Sequence, residues 1–581
     1  MPDGEHAEST GARARWDAAA LVAAGLLLAC HFVFLMHYYE PAISTIDSHG
    51  YFVQARQLAD TGDGAVDTES RVQYVGRTWK SAGRGRYVSM WPPGLPLVLA
   101  GARRAFGPGA MFLVNPVLAT LCLLAVFLVG RAWFGAGWGL LGAALLGCLP
   151  FVNEHAFYGY SHIAVMFFMV WGLFFTVQWV HTRGAWWALA AGVCAGFLAC
   201  IRYPAALFAV AFGVYGVLCL ARDRRAWPGL AAFTLGAGVP VIELCIYNGR
   251  VFGTFGITGY SLIGYSPTTL FKWEAFKVFA PAYVQQLLAV GAGYAFVLGV
   301  AGIVFLCAQR AQWRRGLLMG LLVLPATLLY MAYPQMPHEQ SMRFLLPTLP
   351  VYVIASCGLL AGYAKERPIA GAALGGVLLV LTAAWGMPLS VKKMQAIGER
   401  QAVLARVARE VKRNVPRGSV LIADEMACHD LDVYGWWRLA CTTALSRDRV
   451  PLYGDSRGDA LYEAFLADAG AWAGSGRDMY WLGNDMRSRG LAEFMRRHYT
   501  LDPVAEIPVM PAGWDKDMLR RATAPPEQNA RDAAPAWVAP YNMSPAPEEF
   551  MERMFYDFAG ASPVRLYKLT RMPRAEKGAD Q

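Results

Sequence analysis

At 581 residues, 56% hydrophobic and only 16% charged, with a mean hydropathy of +0.32, the chain is too apolar for a soluble protein of this size, where about a quarter of residues are charged. A net charge of +10 would suit nucleic acid, but no basic-aromatic nucleic-acid module is visible. In a polytopic protein such a balance reflects positive cytoplasmic loops, so the expected surroundings are membrane lipid and no nucleic acid.

Residues 1–16 are polar and carry Arg13 and Arg15, and Ala18 to Met36 is apolar and long enough to span. The basic flank resembles a signal peptide, and Leu27-Leu28-Ala29-Cys30 a lipoprotein cleavage site. The apolar run continues past Cys30, however, and many spans follow, so an uncleaved first span is expected. After a loop over 37–108, apolar segments recur near 109–130, 135–152, 161–180, 185–201, 203–220, 229–247, 284–307, 316–332, 344–364 and 369–389, which with the first makes eleven. One set of connections carries Arg131, then Arg183, then Arg222, Arg224 and Arg225, then Arg310, Arg314 and Arg315, then Lys365 and Arg367. These lie on the side of Arg13 and Arg15, which the positive-inside rule makes cytoplasmic. Parity then places the 37–108 loop, and everything after 390, outside the cytoplasm. The membrane part, 17–389, shows no internal repeat, which disfavours transporters built from repeats.

From residue 390 the composition turns polar. Lys392 to Arg413 reads as a charged amphipathic helix. Ser419 to Ala423, Met479 to Leu482 and Val564 to Leu569 read as strands. Residues 511–549, rich in Pro and Ala, read as irregular. The expectation is an α-helical polytopic membrane domain followed by an α/β domain over 390–581 on the outer side. Nine of the eleven cysteines lie in apolar segments, where cysteine behaves as a small hydrophobe. Cys428 and Cys441 could pair in an oxidising compartment, and no Cys/His group has zinc-site spacing.

The residues that carry chemistry gather at the outer boundary. Asp47 follows the first span. It is either a helix-end carboxylate facing water or a general base that takes a proton from an incoming hydroxyl. His49 and Tyr51 either orient an acceptor or anchor the interface. The same loop carries Arg56, Arg71, Arg77, Lys80, Arg84 and Arg86. A basic loop on the outside runs against the positive-inside trend and suggests an anionic ligand. Arg103 and Arg104 suit an amphipathic helix lying on the surface. Arg202, between two apolar runs, and Arg343, where a span begins, are ionisable groups at membrane depth and hence site candidates, with snorkelling as the alternative. Glu243 and His162 open the same question of structural or site role.

These residues carry a resemblance. Asp47 is followed by Tyr51, Ala55 and Leu58, and Trp91-Pro92-Pro93-Gly94-Leu95-Pro96 returns the chain to the membrane. Tyr247-Asn248-Gly249-Arg250-Val251-Phe252-Gly253-Thr254 precedes Thr258-Gly259-Tyr260, and Arg343-Phe344-Leu345-Leu346-Pro347 begins a late span. In this order the motifs resemble bacterial members of the GT-C superfamily of polytopic membrane glycosyltransferases, the group of the protein O-mannosyltransferases and lipid A aminoarabinose transferases. The resemblance covers residues 17–389, and an α/β domain after the last span is a common layout in that group.

The resemblance implies a sugar donor on a polyprenyl phosphate, transfer with inversion to an extracytoplasmic acceptor, and Asp47 as base. A departing lipid phosphate needs cationic donors, for which Arg343, Arg202, Lys80, Arg84 and Arg86 are candidates. His49, Tyr51, His162, Tyr247, Asn248 and Tyr260 are candidates for the acceptor and sugar. Many relatives have a second acid close to the first, where this chain has Ser48 and His49. No metal or other cofactor is therefore expected. The implied location is the bacterial inner membrane, with 390–581 free to bind the acceptor. The competing readings are a transporter or lipid flippase, and a non-catalytic envelope scaffold.

Overall fold

The computed structural model describes residues 3–572 except 44, 221–226, 265–270, 334–338, 443–458, 475, 484–488, 516, 519–554, 557 and 561. Arg222, Arg224, Arg225 and most of the irregular 511–549 stretch lie outside the described residues. The chain divides into two compact units: residues 1–39, 91–99 and 112–396, and residues 40–90, 100–111 and 397–581.

The first unit is helical. Among the described residues seven helices are long and apolar enough to cross a membrane: Trp16–Tyr38, Ala110–Phe134, Ser161–Thr182, Trp227–Phe252, Trp313–Met331, Met342–Ala364 and Pro368–Asn414. Phe279–Gly291 and Tyr294–Ala308 form an eighth only if a 116° bend between them is counted within one span. The bend follows a π-helical turn over Leu287–Gly291, which ends in a Gly-Ala-Gly run. Ala136–Gly147, Ala185–Ile201 and Tyr203–Cys219 are apolar but shorter. All eleven apolar segments of the sequence are thus largely helical, while three helices fall short of the crossing length, the 135–152 segment is interrupted at Cys148–Leu149 and the 284–307 segment is bent.

A buried polar network ties four helices together. His31 Nδ1 bonds Thr120 Oγ1 and His31 Nε2 bonds Asn153 Oδ1, each at 3.0 Å. Asn153 Nδ2 donates to the Gly147 carbonyl and to Ser390 Oγ. Every partner in an apolar interior avoids the cost of an unmatched polar group.

The second unit contains both the loop after the first span and the C-terminal segment. In the loop, β1 (Ala65–Asp67), β2 (Trp79–Gly83) and β3 (Arg86–Ser89) form an antiparallel sheet in the order β1-β3-β2. In the C-terminal segment β4 (Val420–Ala423), β5 (Arg438–Cys441), β6 (Met479–Gly483), β7 (Tyr499–Ile507) and β8 (Val564–Arg571) form a mixed sheet, β5-β4-β6-β8-β7. Residues alternate between its faces. Leu421 and Ala423 join a core with Val403, Val407, Val411, Phe555 and Phe558. Val420 and Ile422 join another with Leu466, Trp472, Met495 and Val72.

Three expected strands are present as β4, β6 and β8. The sequence reading missed β5 and β7. Pro503 concealed β7; as an edge strand β7 tolerates it, with a register shift between Pro503 and Ala505. Pro368–Asn414 is one helix of 47 residues, without a break between the last apolar segment and the charged stretch. The outer loop, assigned above to the membrane domain, shares the C-terminal segment's cores through Ala42, Tyr74 and Val72. Tyr74 N–H donates to the Leu439 carbonyl at 2.7 Å, and Gln73 bridges Ala440, so the loop covers the β5 edge of the sheet. Cys428 and Cys441, which could have paired, are free thiols in this second unit.

Candidate active site

In the first unit the motif residues converge around Arg202. Arg202 ends the Ala185–Ile201 helix with extended backbone. Gly94, last residue of the Trp-Pro-Pro-Gly turn, lies so close to that end that an added Cβ would stand 2.6 Å from the Cys200 carbonyl carbon and oxygen. Only glycine allows this approach. Trp91 meets Tyr260 edge to face at 5.8 Å, and Tyr260 meets Tyr203 at 5.3 Å. The Tyr203 hydroxyl hydrogen-bonds the buried side chain of Asn248. Tyr247, next to it, packs its ring on Phe252. The Trp91–Pro96 turn, the end of the Ala185–Ile201 helix and the 247–260 stretch are therefore structural neighbours.

Arg343 lies in a 3-10 stretch, Glu339–Thr348. Its guanidinium carbon stands 5.0 Å from the Tyr160 ring centre and 5.3 Å from that of Phe344. Arg202 stands 5.3 Å from the same Phe344 ring and donates to Ser161 Oγ at 3.2 Å. Both arginines are buried, at 9% and 5% exposure for Arg202 and Arg343. Cation–π contact stabilises each by about 0.5–2 kcal/mol. Two like charges beside one ring nonetheless repel, and an anion would offset that. His162, 2% exposed, packs between Tyr160 and Phe344. Neither of its ring nitrogens has a hydrogen-bond partner among the described residues. The turn that presents Tyr160, Ser161 and His162 is fixed by Asn115 Nδ2, which donates to the Tyr158 and Tyr160 carbonyls.

In the second unit Asp47 is half-buried in the first turn of the helix Ile46–Asp60, with Thr45 as N-cap. A helix N-terminus favours an ionised carboxylate. His49 and Tyr51, the candidates for the acceptor in this loop, are each 1% exposed. The reason is visible for His49. Its Nε2 pairs with Asp432 Oδ2 at 2.9 Å, and its ring stacks on His429 at 4.7 Å.

Nor do the loop cations form one patch. Arg86 pairs with Asp63 and Asp67, so its charge is engaged within the loop. Arg84 is exposed at positive φ in the β2–β3 turn, and Lys80 is half-buried on β2. Arg103 pairs with Asp60, and Arg104 donates to the Leu58 and Ala59 carbonyls. These two arginines close the C-terminal end of the Asp47 helix.

The sequence reading missed a polar cluster on Glu425–Leu431 and the turn after it. Glu425 takes a two-pronged ion pair from Arg77, while burial still pushes its carboxyl above the usual range. Asp430 accepts from Ile43 N–H at 3.0 Å. Burial raises its pKa to about 7, and that bond only partly offsets it. Burial would also raise Asp432, but Arg56 and His49 outweigh it and hold the carboxyl at about 2. His429 is kept neutral, first by burial and then by the nearby His49. The sequence signal was the density of acids and histidine in Asp424-Glu425-Met426-Ala427-Cys428-His429-Asp430-Leu431-Asp432. Among the described residues no three His, Cys, Asp or Glu side chains are placed to hold a metal ion.

No protein-family model matches the sequence, and no curated protein matches it. Solved structures do match. The apo structure of ArnT from Cupriavidus metallidurans superposes with a TM-score of 0.55 at 15% identity, covering 84% of this chain and 96% of that one. The same protein bound to undecaprenyl phosphate gives 0.54 at 14% identity, with 83% and 96% covered. The oligosaccharyltransferase AglB from Archaeoglobus fulgidus gives 0.44 at 11% identity, with 95% and 88% covered. The chain is a multi-pass membrane protein with a small C-terminal sheet domain, and its fold resembles that of the ArnT structure.

Proposed function

We propose that the protein is a membrane glycosyltransferase that moves a sugar from a polyprenyl phosphate to an extracytoplasmic acceptor. The observation that carries this reading is the pair of buried arginines, Arg202 and Arg343, packed on one phenylalanine, in a fold shared with a protein crystallised with undecaprenyl phosphate. The two guanidiniums bind the donor phosphate and stabilise the charge that grows on it as the glycosidic bond breaks. Tyr160, Ser161 and His162 line that position. Asp47 takes the proton of the acceptor hydroxyl as its oxygen attacks the anomeric carbon, opposite the departing phosphate, so the configuration inverts. The reaction needs no metal, and chelation with EDTA leaves turnover unchanged. The sugar is a hexose or pentose, and the protein resides in the bacterial inner membrane with its C-terminal segment outside the cytoplasm.

Undecaprenyl phosphate binding in detergent tests the phosphate assignment. Arg343→Ala and Arg202→Ala each remove a charged hydrogen-bond donor of about 1.5–3 kcal/mol, which weakens binding roughly tenfold to hundredfold. Unchanged affinity in both folded variants would sink the assignment.

A further inference from the structure

Asp47 is held from one short segment of the C-terminal part. Asp430 Oδ1 takes the Ile43 N–H at 3.0 Å. His429 Nε2 donates to the Thr45 carbonyl at 2.7 Å, and Thr45 is the N-cap of the Asp47 helix. Asp432 Oδ2 takes His49 Nε2 at 2.9 Å. Three side chains within four residues thus grip positions 43, 45 and 49, on both sides of Asp47. The grip is itself braced. Tyr74 hydroxyl donates to His429 Nδ1 at 3.4 Å, which fits a neutral ring with its proton on Nε2. Arg56, two turns along the Asp47 helix, donates to Asp432 Oδ1 at 3.0 Å and to the Asp432 carbonyl. On the other side Gly76 closes on the His49 ring, where an added Cβ would stand 2.2 Å from Nδ1.

We infer that His429 and Asp432 are positioning residues for the transfer reaction, fixing the first turn of the helix that carries Asp47. The inference rests on the reading of Asp47 as base. The cores that join loop and sheet would keep the loop attached without these bonds. The bonds instead converge on the turn whose placement matters for proton transfer, where a misplacement of about 1 Å costs on the order of a hundredfold in rate. Neither residue touches substrate in this scheme. Asp432 acts through His49 and Arg56, and His429 through the Thr45 carbonyl.

The test uses the full-length protein in a strain lacking its gene. Turnover is read as the rate at which the modified envelope glycan reappears after induction, by mass spectrometry. Donor-site integrity is read as undecaprenyl phosphate affinity, and local order as hydrogen–deuterium exchange over 43–52. Asp432→Asn and His429→Ala are expected to slow reappearance by about tenfold to hundredfold. They are also expected to speed exchange over 43–52 and to leave undecaprenyl phosphate affinity within twofold. Asp432→Glu and His429→Gln, which keep the charge and the donor, recover part of the rate. Normal reappearance in folded Asp432→Asn overturns the inference, as does a loss that the conservative variants fail to recover. Asp47→Asn, run alongside, separates the two readings: full turnover in that variant removes the base assignment itself, whereas loss there with normal Asp432→Asn removes only the positioning role.

Discussion

Asp430 and Asp432 stand two residues apart and answer burial in opposite ways. Asp432 has Arg56 and His49 against it and stays ionised down to about pH 2. Its folded pKa lies below the ordinary carboxylate value, so its contribution is present above about pH 4 and is lost as pH falls toward 2, about 2 kcal/mol in all. Asp430 has one backbone N–H and a folded pKa of about 7. An acid raised in the fold costs nothing below the unfolded pKa and destabilises increasingly as pH climbs from about 4 to 7. Asp430→Asn keeps an acceptor for Ile43 and removes the titration. It should raise Tm at about pH 8, by roughly 1–4 kcal/mol of stability, and change it little at about pH 4. Thermal unfolding at the two pH values decides this; an equal shift at both would show that Asp430 does not titrate in that window.

The element with the clearest mechanical role is the turn before the helix Gly94–Phe106. Its Pro-Pro-Gly sequence was legible as a re-entry signal, but its purpose was not, because the neighbour that requires glycine, the end of the Ala185–Ile201 helix, lies over a hundred residues away in sequence. Gly94→Ala would drive Cβ into the Cys200 backbone, which cannot swing aside like a side chain. The expected cost is about 1–3 kcal/mol of stability. Undecaprenyl phosphate should also bind more weakly, since Arg202 directly follows the displaced Cys200 and Ile201. Unaltered Tm and affinity in Gly94→Ala would show that the contact relaxes freely. The same limit applies elsewhere. Apolar runs could be read because their signal, hydropathy, is local. His49 could not be placed, because its burial depends on Asp432, whose number is 383 higher. The broken 284–307 segment kept its hydropathy through the bend, so composition alone did not reveal it.

At the scale of the whole molecule, the loop of Asp47 and the C-terminal segment fold as one unit. The sequence suggested a separable outer domain, free to bind an acceptor. The structure gives that segment a further task, since Val72, Tyr74 and Ala42 of the loop are buried in its cores. Removing 397–581 is therefore expected to expose residues 40–90 to proteolysis, while the first unit stays resistant. A protected loop in the truncated protein would contradict this.

The central claim is that Asp47 is the base of a sugar transfer. The most direct measurement is the envelope glycan mass profile of a strain lacking the gene, complemented with the natural chain or with Asp47→Asn at equal expression. The account predicts that one sugar mass disappears on deletion, returns with the natural chain, and stays at least a hundredfold lower with Asp47→Asn, the scale of general-base catalysis being about 10²–10⁴-fold. Full restoration by Asp47→Asn would contradict it.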